Sequence, residues 1–266
     1  MNVIVTHNGI FHADEVLATA LLEVFNDREY NILRTRDDKE LSNAIKNSQA
    51  YVIDVGGCYD GLTLFDHHHD SNLLSSAGLI WQHIKDNGLT NDFDYKKIDS
   101  LVSEVDDHDR GIKFQSMFEF SNLIQTYNAG NIYGEEQNEA FISAVYFAKT
   151  VIASYKRDTE LIEKATEITE NAKDLGNGVF LLSEFIHLWG SFINGTKRPE
   201  VNRVIWEDKH TGEWKVQVPN IKRGDFTLNG EALLQNENMK FVHANGFFAV
   251  AVDKNTLYSY LGIKES

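Results

Sequence analysis

Strand-like and helix-like segments alternate from the N-terminus onward, and this alternation constrains the fold more than any other feature of the chain. Asn2–Thr6 is a short β-branched run, after which Val16, Leu17, Ala20, Leu21 and Val24 recur at helical spacing. Asn31–Arg34 reads as a second strand and Leu41–Lys46 as a short helix. Tyr51–Val55 reads as a buried strand running into Gly56-Gly57, and Thr63–Phe65 as a further short strand before Asp66. Ala77–Lys85 and Ile98–Val105 return to the helical period. Strand–helix–strand order of this kind predicts an α/β unit, a parallel sheet with helices on both faces.

From Glu139 to Ala172 the pattern is helical throughout. Phe141, Val145, Ala148, Ile152 and Tyr155 fall on one stripe, and Leu161, Ile162, Ala165 and Ile168 continue it. With only two prolines, Pro199 and Pro219, helices can run long. Beyond this stretch Val179–Leu182, Val201–Trp206, Trp214–Val218 and Phe247–Val252 are strand-like, with a hairpin turn expected at residues 209–213. The expected organisation is an N-terminal parallel-sheet domain over residues 1–135, a helical connector over 136–175 and a smaller C-terminal α+β domain over 176–266.

Apolar residues are 42% of the 266 and aromatics 11%, enough for a packed core. The 25 basic residues face 40 acidic ones, a net charge of −15, which argues against a protein that coats nucleic acid with its whole surface but leaves room for a local cationic cleft. One cysteine, Cys58, excludes an intramolecular disulfide and disfavours a thiolate zinc site. No apolar run approaches the ~20 residues of a membrane span. The first residues lack the basic start and apolar stretch of a secretory signal. A cytoplasmic protein with no membrane partner is expected. Between Thr196 and Arg223 seven basic residues (Lys197, Arg198, Arg203, Lys209, Lys215, Lys222 and Arg223) outnumber four acidic ones. Solvated strand faces account for most of them; Arg198 and Arg203 are the candidates to meet a phosphate.

Three short segments concentrate His and Asp where expected strands end: Thr6-His7-Asn8-Gly9-Ile10-Phe11-His12-Ala13-Asp14-Glu15, Asp54-Val55-Gly56-Gly57 and Asp66-His67-His68-His69-Asp70. In open α/β sheets ligands bind beyond the carboxyl ends of the strands, so one fold can bring the three together. Imidazole and carboxylate together suit manganese, iron, cobalt or zinc. Each segment also has a plainer role available: His7 as a strand-end filler, Asp14 as the N-cap of a helix starting at Glu15, Asp54 as a turn residue, His67–His69 as an exposed polar loop. Together they are better explained by one metal centre. A fourth segment, Ser103-Glu104-Val105-Asp106-Asp107-His108-Asp109-Arg110-Gly111, is either an acidic helix end or the source of a further ligand.

These segments carry a resemblance. Asp66-His67-His68 resembles the motif of the DHH phosphoesterase superfamily. Thr6-His7-Asn8-Gly9-x-Phe11-His12-x-Asp14-Glu15, Asp54-Val55-Gly56-Gly57-x-Tyr59-Asp60, Phe65-Asp66-His67-His68, Asp106-x-x-Asp109-x-Gly111-Ile112 and Phe241-Val242-His243-Ala244-Asn245-Gly246-Phe247 are similar to segments of the melanocyte proliferating gene family of metal-dependent hydrolases within that superfamily. The likeness spans residue 3 to about 250, and the first three motifs in this order are highly specific.

The resemblance implies an N-terminal domain holding two divalent ions, manganese expected, and a C-terminal substrate-binding domain. It implies His7, His12, Asp14, Asp54, His67 and either Asp106 or Asp109 as metal ligands, with Asp54 bridging. His68 is expected at the scissile phosphate with Asp66 orienting a neighbouring histidine, and the two are taken as the catalytic pair. His243, Asn245, Arg198 and Arg203 are the expected substrate contacts, although a strand-end core role for His243 is equally open. Two departures stand out: His69 where the family commonly has Gln, and Arg110 where it commonly has Asn.

The expected function is manganese-dependent phosphodiester hydrolysis by two-metal activation of water, as a 3′–5′ exonuclease on single-stranded RNA or short oligonucleotides. Hydrolysis of a small phosphate compound, either a nucleotide or pyrophosphate, is the competing enzyme reading. A non-catalytic metal- or nucleotide-binding module is the third. Apolar strand runs in the C-terminal part are compatible with a homodimer without singling out an interface.

Overall fold

The computed structural model describes residues 3–46, 50–91, 93–112, 116–190 and 198–264. The chain divides into two compact units, Met1–Thr159 and Glu160–Ser266.

In the first unit β1 (Val3–Thr6) lies between β2 (Asn31–Arg34) and β3 (Ala50–Ile53), and β4 (Leu64–Phe65) pairs on the far side of β3. All three pairings are parallel, as the alternation of elements predicts. Asn2, the expected first strand residue, lies outside the described residues. Side chains alternate across the pleat. Val5 and Val52 pack on one face with Ala44 and Leu41 of α2 (Asp38–Lys46). Ile4, Tyr51 and Ile53 enter the main core on the other face, against α1 (Ala13–Phe25), α3 (Ser76–Asp86) and α4 (Lys96–Asp109). The start of α2 is fixed by Asp37, whose carboxylate accepts the N–H groups of Lys39 and Glu40, both at 3.0 Å.

Helix α1 is buried on nearly every side. Its polar groups are satisfied internally: the Thr19 hydroxyl donates to the Glu15 carbonyl at 2.8 Å, and Glu23 accepts the Tyr30 N–H at 3.0 Å and meets Lys149 at 2.7 Å. The expected helix at Ile98–Val105 extends to Asp109 before Gly111 turns the chain with φ +67°. The six-residue α5 (Phe120–Gln125) is not foreseen, being too short to show a period. In α6 (Glu135–Glu170) Phe141, Ala144, Val145, Ala148 and Ile152 enter the core of the first unit. Farther along, Ala165 and Ile168 are buried, while Leu161 and Ile162 of the expected stripe are not.

The second unit holds a mixed sheet in the order β5 (Lys173–Asp174), β6 (Val179–Leu181), β7 (Arg203–Glu207), β8 (Trp214–Gln217), β10 (Phe248–Ala251), β9 (Met239–Val242). Only β6 and β7 run parallel. The expected hairpin joins β7 and β8, closed by the Asp208 N–H on the Glu213 carbonyl at 2.8 Å. Strand β9 is not foreseen; its pairing with β10 shifts register at Val250/Ala251, which breaks the simple alternation in Met-Lys-Phe-Val. A short helix, α7 (Gly230–Leu234), precedes β9. Helix α8 (Lys254–Leu261), N-capped by Asp253 and ended by Gly262 in the left-handed conformation, buries Leu257, Tyr258 and Leu261 against one sheet face. Among the described residues no helix is long and apolar enough to cross a membrane.

Candidate metal centre

Because β1, β3 and β4 are parallel, their carboxyl ends lie at one edge of the first sheet, and each delivers one of the polar segments there. His7 follows β1, Asp54 follows β3, and Asp66–His68 follow β4. The N-termini of α1 and α3 and the last turn of α4 complete the site.

His7 is buried, with Nε2 2.9 Å from Glu15 Oε1 and 3.3 Å from Asp54 Oδ2, and Nδ1 3.0 Å from the Asn8 carbonyl. Burial works against a charged ring, but the hydrogen bonds with Asp54 and Glu15 outweigh it and raise His7 to about 10. Asp54 itself sits at φ +57°, a left-handed conformation that Asp tolerates better than most residues. Such strain on a polar residue at a strand end is a pointer to function. Burial pushes the Asp54 carboxyl up, against the lowering effect of His7.

Asp14 is not the N-cap of a helix starting at Glu15. Helix α1 begins at Ala13, and the His12 N–H is covered by Glu15, 3.1 Å from each carboxylate oxygen. The Asp14 carboxylate instead reaches α3, accepting the N–H groups of Ser76 at 2.9 Å and Ala77 at 2.7 Å. Burial, and then the charges of Asp54 and Asp109, push its pKa well up.

His67 Nε2 lies 3.0 Å from Asp109 Oδ2 and its Nδ1 3.8 Å from Asp54 Oδ1. Burial opposes its charge; the Asp109 hydrogen bond and the fields of Asp14, Asp109 and Asp54 raise it to about 9. Asp66 holds His68: Oδ1 is 2.7 Å from His68 Nδ1, and Oδ2 accepts the Gly57 N–H at 2.6 Å. Burial works against the Asp66 charge, and the N–H groups of His68 and Gly57 more than offset it, keeping the carboxyl below its usual range. The His68 ring is exposed and stacks on His67 with centroids 4.5 Å apart. His12 is exposed with its ring centroid 6.0 Å from His7, and His69 is exposed outside the cluster.

Of the two acidic candidates on α4, Asp109 is the one that joins the cluster. Asp106 accepts the Ser75 N–H at 2.5 Å and pairs with Arg110 Nη1 at 2.9 Å. Among the described residues, donor atoms within 4.8 Å of one another form three overlapping groups: His7, His12, Glu15 and Asp54; Asp54, Asp66, His67 and His68; Asp14, His67 and Asp109. Asp54 and His67 are each shared by two groups. The set fits divalent cations. Among the described residues His67 Nδ1, which is buried, has no hydrogen-bond partner, and the buried carboxylates disfavour one another's charge, which a cation reverses.

Sequence reasoning missed several residues. Glu15 joins the donors; its spacing from His12 as a capping-box glutamate was the available signal. Arg36 lines the same cleft of about 450 Å3 as His7, Asp14, Asp54, His67 and Asp109. The His7–His12 loop is braced from afar. Asn128 bonds the Phe11 N–H at 3.0 Å and carbonyl at 2.9 Å, while Gln137 and Arg34 donate to the Gly9 carbonyl at 2.9 and 2.8 Å.

The remaining candidates belong to the second unit. Arg198 closes the end of α6 through the carbonyls of Thr169 at 3.0 Å and Glu170 at 3.2 Å, and pairs with Glu200. Arg203 is half-buried, and burial lowers its basicity. The β9–β10 turn carries His243, whose Nδ1 accepts the Asn245 N–H at 3.1 Å and whose ring packs on Phe247 at 4.1 Å. Asn245 is exposed. Lys197, from the basic run, lies outside the described residues.

The family model for MYG1 exonucleases, described as Uncharacterised protein family (UPF0160), matches residues 3–260. The MYG1 protein of Schizosaccharomyces pombe is 36% identical over 306 residues, covering 92% of this chain and 91% of the relative. The MYG1 protein of Chlamydia muridarum is 38% identical over 151 residues, 54% of this chain and 50% of the relative, so that match spans about half of the relative's length. The MYG1 exonuclease of Homo sapiens is 35% identical over 136 residues, 40% of this chain and 35% of the relative. Among solved structures, a pGpG-specific phosphodiesterase of Vibrio cholerae aligns over 94% of this chain and 92% of its own at 15% identity, but its TM-score of 0.35 is too low to bear on fold or function. With a family model matched from residue 3 to residue 260, the chain belongs to the MYG1 family.

Proposed function

We propose that this chain is a metal-dependent phosphodiesterase, and more finely a 3′–5′ exonuclease acting on single-stranded RNA or short oligonucleotides with two manganese ions. The observation that carries the reading is the sharing of Asp54 between two donor groups, one built on His7 and one on His67. A carboxylate so placed suits two ions held side by side. His7, His12, Asp14, Asp54, His67 and Asp109 would hold them. Relatives named exonucleases support phosphodiester hydrolysis.

Bound divalent ions supply Lewis-acid charge that polarises a phosphoryl group and acidifies water. The chain's own residues do the rest. Asp66 fixes the His68 imidazole through Nδ1 and presents its other nitrogen to the phosphoryl oxygens. Arg36 lines the cleft as a guanidinium for a non-bridging oxygen. Hydrolysis breaks the P–O bond to the leaving nucleoside, forms one from water to phosphorus, and returns a proton to the leaving oxygen.

The net charge of −15 favours a second reading, a small phosphate compound as substrate. One experiment separates them. Metal-stripped protein receives Mn2+, Mg2+ or Zn2+ and is given end-labelled RNA, end-labelled DNA and pyrophosphate, with Asp54→Ala as control. A Mn2+-dependent ladder of shortened RNA, absent in the variant, is expected. Intact oligomers with pyrophosphate consumed would replace the exonuclease reading with the small-phosphate one. Binding without turnover of any of them would leave a non-catalytic module.

A further inference from the structure

The cleft continues past the metal-ligating residues. The stacked rings of His67 and His68 line two chambers, one holding the donor clusters and a second of about 410 Å3 lined by Ser71, Leu73, Arg110 and Ile112. The chambers differ in chemistry. Asp14, Asp54 and Asp109 line the first; among the described residues no carboxylate lines the second, which Arg110 supplies with a guanidinium.

Arg110 is held in place. It follows α4 directly, with Nη1 on Asp106 Oδ2 at 2.9 Å and Nη2 on the Ser71 carbonyl at 3.2 Å. Asp106 in turn accepts the Ser75 N–H, so the guanidinium is anchored to the loop that carries His67 and His68. A guanidinium has five N–H donors in a fixed fork; these two bonds occupy two of them among the described residues. Leu73 and the exposed Ile112 supply apolar surface beside it. A fixed cation next to apolar side chains, one imidazole away from the catalytic cluster, matches a phosphate attached to a nucleoside.

We propose that the second chamber is an anion subsite in which Arg110 takes the phosphate adjoining the one being cleaved, with Leu73 and Ile112 against the attached sugar or base. The assignment rests on the phosphodiesterase reading above. It makes the preferred substrate one with two neighbouring phosphates. A nucleic-acid backbone offers two phosphates one nucleoside apart; a free diphosphate offers Arg110 the same anion but brings no sugar or base to Leu73 and Ile112.

The test uses the Mn2+-loaded protein and three probes: a dinucleotide with a 5′-phosphate, the same dinucleotide without it, and inorganic pyrophosphate. Turnover and calorimetric binding are both read, for wild type, Arg110→Ala and Arg110→Lys. Wild type is expected to prefer the phosphorylated dinucleotide by about ten- to a hundredfold in kcat/KM, the value of a charge-assisted contact. Arg110→Ala should bring that ratio close to one, through KM, and Arg110→Lys should recover part of it.

If Arg110 only braces the loop, both dinucleotides slow equally and the ratio survives, which overturns the subsite while leaving the phosphodiesterase reading intact. No turnover of either dinucleotide, with the Arg110-dependent binding difference preserved, overturns the phosphodiesterase reading and leaves the anion site. Competition by pyrophosphate that weakens in Arg110→Ala supports a free diphosphate as the occupant; its absence beside an intact 5′-phosphate preference supports the oligonucleotide backbone.

Discussion

The carboxylate of Asp14, in the first turn of α1, accepts the backbone N–H of Ala77 at 2.7 Å, so a residue of the candidate metal site also caps α3. Its second oxygen takes the Ser76 N–H. Asp14→Ala leaves two buried N–H groups without acceptors, each costing about 1–3 kcal/mol, partly offset by removing a buried carboxylate. A net loss of about 1–3 kcal/mol is expected in chemical denaturation. Asp14→Asn, which keeps one acceptor oxygen, should lose less, and equal stability of all three proteins would refute the capping role.

Asp54→Asn is expected to behave in the opposite way. Burial disfavours the Asp54 charge, and Asn tolerates the same left-handed backbone. The metal-free variant should therefore melt at or above the wild-type temperature while phosphodiesterase activity falls at least about a thousandfold, the scale of losing a charge at the reacting centre. A variant that melts lower, or one that keeps its activity, contradicts this account.

Adding Mn2+ to chelator-treated protein should raise Tm, by the equivalent of about 3 kcal/mol at a hundredfold excess over Kd. Asp109→Asn should reduce that gain more than Asp106→Asn, because only Asp109 reaches the cluster. The reverse order would move the ligand assignment to Asp106.

In chelator the pH dependence of stability has a defined sign. His7 and His67 are raised to about 10 and about 9, against about 6.5 for a free imidazole. Both rings bind protons more tightly folded than unfolded. The stability they contribute is fully present below about pH 6.5 and is lost as pH rises through about 9 and then 10. Tm should fall between pH 7 and pH 10 and fall less in His7→Gln; a rise over that window would contradict the assigned ion pairs.

Asn128→Ala tests the distant brace. It removes both hydrogen bonds to the Phe11 backbone, so the loop carrying His7 and His12 is left braced only through the Gly9 carbonyl. A drop of about 1–3 kcal/mol in stability is expected, together with weaker Mn2+ binding by calorimetry. Unchanged Mn2+ affinity would confine Asn128 to a packing role.

Much of the first unit was legible because its information is local. Short β-branched runs and the polar residues following them name the strand ends, and parallel pairing then brings His7, Asp54 and His67 together. The brace was not legible: Asn128 and Gln137 lie more than a hundred positions from the loop they hold, and nothing near either residue marks the partner. Asp106 and Asp109 were indistinguishable because residues three apart share a helix face; the contacts of Arg110 and Ser75 with Asp106 separate them. In the second unit the bulge at Lys240 within β9 hid a strand, and the bonds of Arg198 to the end of α6 depend on a helix end that periodicity locates only loosely.

The nearly complete burial of α1 imposes an order in time. A helix enclosed on all sides cannot fray into solvent on its own; its amide hydrogens exchange only when the packing around it opens. The slowest exchange in the first unit should therefore fall in the middle of α1, while α2, with little besides Ala44 buried, exchanges early. The candidate metal centre starts at the N-terminal turn of that slow helix, so the ground on which it is built is the last part of the unit to come apart.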